Sequence, residues 1–108
     1  MDITELKVVD ACQAQNFYGS EIIIEGKVVN SYCSNIDTIF LNFGRLYSNQ
    51  CFTVALFKLD QDKFLESPEK YYINRIIRAR RAIKEDNGNP EIILDNPSQT
   101  EIGIKLLE

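Results

Sequence analysis

Histidine is missing from all 108 residues. That absence removes the commonest general base, the commonest zinc ligand and every Ser-His or Cys-His dyad. No stretch reaches the roughly 20 apolar residues of a membrane-spanning helix. The opening Met-Asp-Ile-Thr-Glu-Leu-Lys lacks the basic-then-apolar order of a secretory signal, so the expectation is a cytoplasmic chain with no membrane partner. Cysteine is scarce and odd in number. Cys12, Cys33 and Cys51 stand far apart, unlike a disulfide framework, and are read as small, partly buried side chains. With no histidine to lower its pKa, Cys33 has no reason to be an activated thiolate. Excess positive charge is also lacking, for the formal net charge is -4, a poor balance for gripping phosphates indiscriminately.

What the chain does have is a pair of strands. Thr38 to Phe57 carries aromatic and β-branched residues at period two on both flanks of Gly44 to Gln50, a segment rich in turn formers. Turning Ile39, Leu41 and Phe43 inward buries more apolar area than the alternative and strands no polar group. Thr38, Phe40 and Asn42 then face outward, and the same argument sends Phe52, Val54 and Leu56 in and Thr53, Ala55 and Phe57 out. Before them, Glu21 to Ser31 reads as a long strand in which Gly26 marks a bulge or bend.

From Asp2 to Asn16 the apolar spacing fits a short helix or an irregular strand equally well. The helical region runs from Asp60 to about Tyr72, with Ser67-Pro68-Glu69 as a start signal. Asn87-Gly88 is the preferred centre of a two-residue type I′ hairpin. It sets Lys84 opposite Glu91 and Arg80 opposite Asp95, two charge pairs unless a bulge shifts the register. Five basic residues and no acid lie between Arg75 and Lys84, whereas six acids and Lys105 follow from Glu85 onward.

The phrases Glu25-Gly26-Lys27-Val28-Val29, Phe40-Leu41-Asn42-Phe43-Gly44, Tyr47-Ser48-Asn49-Gln50-Cys51-Phe52-Thr53 and Pro90-Glu91-Ile92-Ile93-Leu94 resemble bacterial OB-fold domains of the nucleic-acid-binding-like type. The resemblance covers about residues 19 to 99. It implies an all-β, five-stranded Greek-key barrel with a helix between the third and fourth strands. The chain is then one OB-fold domain over 1–108, with an N-terminal segment 1–18 and a tail 100–108 that covers a sheet edge or meets another chain. Two positions depart from the group's pattern: Arg81 replaces a glycine in the fourth strand, and Asn74-Arg75 replaces Gly-Lys before it.

An OB-fold binds nucleic acid across its second and third strands. That places the binding residues at Lys27, Phe40, Asn42, Arg45, Tyr47, Thr53, Phe57 and Arg78, with Phe40 and Phe57 as stacking rings. The bland alternative buries both rings under the N-terminal segment or the tail. Asp37 in one flanking loop, and Glu85 and Asp86 beside the short hairpin, repel phosphate. No carboxylate spacing matches the thermonuclease type, which shares the barrel. The expectation is therefore a non-catalytic module without metal or cofactor. It binds single-stranded nucleic acid, or alternatively a protein partner or a second copy of itself.

Overall fold

The computed structural model describes residues 7–45, 49–64 and 67–102. Its strands in chain order are β1 (Val8–Asp10), β2 (Glu21–Cys33), β3 (Ile39–Phe43), β4 (Phe52–Leu56), β5 (Ile76–Ala82), β6 (Lys84–Asp86), β7 (Asn89–Ile93) and β8 (Thr100–Ile102). They form one curled sheet in the order β6-β7-β4-β3-β2-β5-β8, with β1 attached to β2. The five longer strands, β2, β3, β4, β5 and β7, are those of an OB-like half-barrel. β4 lies parallel to β7, and β2 is long enough to pair with both β3 and β5.

Alternation places the inward set as the sequence predicts, although Thr38 and Ala55, expected on the outside, are buried as well because both faces of this part of the sheet are covered. Leu41, Phe43, Phe52, Val54 and Leu56 are all fully buried, and Phe43 meets Phe52 edge-on at 5.4 Å between ring centroids. Burying each such side chain contributes about 1.5–3 kcal/mol.

Gly26 proves to mark a close approach rather than the bulge. A Cβ there would lie 2.9 Å from Ala11 Cβ and 3.1 Å from the Phe43 ring, so the missing side chain lets the N-terminal segment lie on the strand. The register shift of β2 against β3 falls further on, between Val28 and Asn30. Residues 8–16 turn out to be β1, parallel to β2, followed by a 3₁₀ turn, Ala11–Asn16, that buries Ala11 and Ala14.

The expected helix is corrected to two single turns, α1 (Lys58–Gln61) and α2 (Pro68–Tyr71). Pro68 does take the first turn of α2, but the Ser67 hydroxyl makes no capping bond. Phe64 and Tyr72 supply the buried contacts of this connection.

Cys12 and Cys51 are joined in a disulfide, with Cα atoms 4.9 Å apart, while Cys33 is free and exposed. This corrects the expectation of unpaired thiols. Sequence separation conceals the pairing, because the 3₁₀ turn folds back over the end of β3 and β4.

The hairpin keeps the predicted Lys84–Glu91 register, with Asn87 and Gly88 at positive φ. Beyond it the pairing shifts by one residue. Ile83 leaves β7 and exchanges backbone hydrogen bonds with Gly19 and Ser20, so it is Arg81, not Arg80, that meets Asp95, at 2.8 Å. Arg81 also donates to the Ile93 carbonyl, which links β5 to β7 at the open seam. Asn74 adopts φ 64°, the left-handed backbone that the glycine of the resembling domains would supply. β8 covers the free edge of β5, as expected of the tail's beginning; the remainder of the tail, 103–108, lies outside the described residues.

Candidate functional site

The outward positions of five neighbouring strands, β6, β7, β4, β3 and β2, fall into register as a polar row. Lys84 lies opposite Glu91, Glu91 beside Thr53, Thr53 opposite Asn42, and Asn42 opposite Asn30. Inside this row Thr53 donates to Asn42 Oδ1 at 3.2 Å, Asn42 donates to Asn30 Oδ1 at 3.0 Å, and Gln50 donates to Thr53 Oγ1 at 3.3 Å. Asn42 and Thr53 are buried although they sit on the outer face, and these bonds satisfy them.

Aromatic rings flank the row on one side. Tyr32 and Phe40 are ladder partners on β2 and β3, stacked 18° from parallel at 6.4 Å, and Tyr32 is 59% exposed. The β6–β7 hairpin, with Asp86, Asn87 and Asn89, borders the other side. Rings, row and hairpin together enclose a cleft of about 580 Å³, within the volume range of small-ligand sites.

Of the residues expected to bind, the structure gathers Phe40, Asn42 and Thr53 here. The others it does not bring in. Phe57 lies past the end of β4 as the residue before α1. Lys27, exposed on β2, is opposite Ile76, and Arg45 is exposed just after β3. Arg78 sits on β5 between Glu25, at 2.9 Å, and Glu101, at 3.7 Å, beside a separate small cavity formed with β8. Tyr47 lies outside the described residues. Sequence reasoning missed Tyr32, Gln50, Asp86, Asn89 and Glu91. Tyr32 escaped because the strand expected from the sequence ends at Ser31, whereas β2 runs two residues further and places Tyr32 across from Phe40.

Glu91 is the unusual group. It is buried, and burial pushes its carboxyl above the ordinary glutamate range; Asp86 adds to the rise and Lys84, 3.5 Å away, opposes it. A raised folded-state pKa means that the native protein holds this proton more tightly than the unfolded chain does. The associated stability is full below the ordinary glutamate range and is lost as pH rises through the raised value. Urea midpoints of the native protein and Glu91→Gln, compared from about pH 4 to 8, are therefore expected to show the native protein losing ground to the variant as pH rises. Gain in that direction by the native protein would mean that Lys84 outweighs burial.

No family model and no curated protein matches the sequence. Among solved structures, the fold is similar to a stretch of a chain assigned as an aspartyl-tRNA synthetase from Leishmania major Friedlin. The TM-score is 0.58 at 6% identity, covering 94% of this chain and 21% of that one. The likeness is one of fold, and this chain spans about a fifth of that protein's length.

Proposed function

We propose that this chain is a non-catalytic binding module that holds single-stranded nucleic acid by its bases, in the cleft over β3 and β4. The observation that carries the reading is the stacked Tyr32–Phe40 pair beside a row of hydrogen-bonding side chains. A flat ring surface next to amide groups fits a splayed base, which stacks through its face and bonds through its edge. The shared fold with part of a protein named for its action on tRNA points the same way by analogy.

The test is fluorescence anisotropy of a labelled single strand. Phe40→Ala and Tyr32→Ala are each expected to weaken binding by roughly 1–3 kcal/mol, the cost of losing one stacked base. Unchanged affinity in both folded variants would remove the cleft from the binding surface.

A second reading, a protein-interaction or self-association module, is favoured by apolar side chains elsewhere. Ile36 is 75% exposed and Leu59 85%. Their segments are tied at one end of the molecule, where Lys58 meets Asp37 and Gln61 donates to the Asp37 carbonyl.

Among the described residues no helix is long and apolar enough to cross a membrane. Within that limit, the Cys12–Cys51 bond favours an oxidising compartment over the cytoplasm.

A further inference from the structure

We infer that the cleft recognises bases carrying an exocyclic amine, and that it does so with little help from phosphate contacts. This inference rests on the nucleic-acid reading above and concerns what that site selects.

The basic strand is the first ground. Its charge looks like a phosphate track in the sequence, yet every member of it has a local partner. Arg78 meets Glu25 and Glu101, Arg80 meets Glu21, Arg81 meets Asp95, and Lys84 meets Glu91. Arg75 donates to the Tyr71 carbonyl and lies over the Tyr71 ring at 4.8 Å. β5 is also three strands away from β4 in the sheet order, so its arginines do not line the cleft.

The cleft wall is the second ground. Among the described residues the charged groups that line it are the carboxylates Asp86 and Glu91, and the cation beside them, Lys84, is already paired with Glu91 at 3.5 Å. Carboxylates accept hydrogen bonds and repel phosphate, so the hairpin side of the cleft favours a ligand edge that donates. Gln50 adds a buried carbonyl oxygen that has no partner among the described residues. An exocyclic amine such as cytosine N4 is the edge a carboxylate accepts from, whereas thymine presents a carbonyl oxygen and a methyl group in that place. With Tyr32 and Phe40 holding the face of the base, the opposite wall reads its edge.

The experiment compares oligo(dC) with oligo(dT) of equal length, two pyrimidines that differ at this edge, by anisotropy with the full chain at neutral pH. Oligo(dC) is expected to bind at least about tenfold more tightly. The ratio should persist between about 50 and 200 mM salt, with a log–log salt slope shallower than about -1.5, equivalent to two phosphates or fewer. Asp86→Asn, a change at an exposed residue, should shrink the ratio mainly by weakening oligo(dC).

Free cytidine competing better than uridine would support the inference without any phosphate present. Equal affinities with a steep salt slope would overturn it while leaving the nucleic-acid reading in place. Absence of binding to either strand would overturn both.

Discussion

Opening the Cys12–Cys51 bond is expected to lower the melting temperature by on the order of 20 °C, using about 4 kcal/mol of lost stability and about 4–8 °C per kcal/mol in a domain of this size. The figure follows from the sequence separation of 39 residues: a cross-link that closes so long a loop removes much conformational freedom from the unfolded chain. The folded state adds a second reason. Cys12 belongs to the 3₁₀ turn that seats Ala11 against Gly26 and buries Ala14, so the bond also fixes that turn over the end of the sheet. Thermal melts with and without reductant, alongside a Cys12→Ser/Cys51→Ser variant, measure the effect. Alkylation in denaturant should label Cys33 alone in the unreduced protein and all three thiols after reduction. Equal melting temperatures in the two states would show that the bond carries no stability.

This bond also shows where the sequence stops being legible. Period-two alternation is a local signal, and it located β2, β3 and β4 and the inward set of β3 and β4, but it could not show that neighbours also cover Thr38, Asn42, Thr53 and Ala55. Asn87-Gly88 is local as well, and it set the Lys84–Glu91 register. What the chain does beyond a few residues is decided by contacts between distant segments. Ile83 leaves the hairpin ladder because the backbone at Gly19 and Ser20 is within reach, and that single displacement moves Asp95 from Arg80 to Arg81.

The helix failed for a related reason. Residues 58–72 have to bridge the end of β4 and the start of β5 while burying Phe64 and Tyr72, and single turns do that where one continuous helix was expected. Candidate site residues divided on the same line. Phe40, Asn42 and Thr53 follow from strand parity. Arg78 was drawn from a basic cluster whose acidic partners, Glu25 and Glu101, are remote in sequence. Of the cleft's carboxylates, Asp86 was read as repulsive to phosphate and Glu91 as the partner of Lys84; their place opposite the stacked rings depends on the parallel pairing of β4 with β7.

Gly44→Ala is expected to cost about 2–5 kcal/mol in the disulfide-bonded protein, and only about 1–2 kcal/mol when the bond is absent. Two penalties combine at this residue. Its φ of 85° lies in the left-handed region, where a side chain costs about 1–2 kcal/mol. A Cβ would also stand 2.5 Å from Cys51 Sγ and 2.9 Å from Cys12 Sγ, an overlap whose relief costs about 1–3 kcal/mol in a packed setting. The first penalty belongs to the backbone and is indifferent to the cysteines. The second depends on sulfurs that cannot move apart while they are bonded. In the Cys12→Ser/Cys51→Ser background the serine oxygens are smaller and free to rotate, so the overlap should largely vanish. Denaturant titrations of the four proteins form a double-mutant cycle, and its coupling energy isolates the contact between Gly44 and the sulfur pair. A cost for Gly44→Ala that is the same in both backgrounds would mean that backbone strain alone requires glycine here. A coupling above about 1 kcal/mol would mean that Phe-Gly-Arg at the end of β3 is shaped to receive the disulfide, so that the turn and the bond form one structural unit.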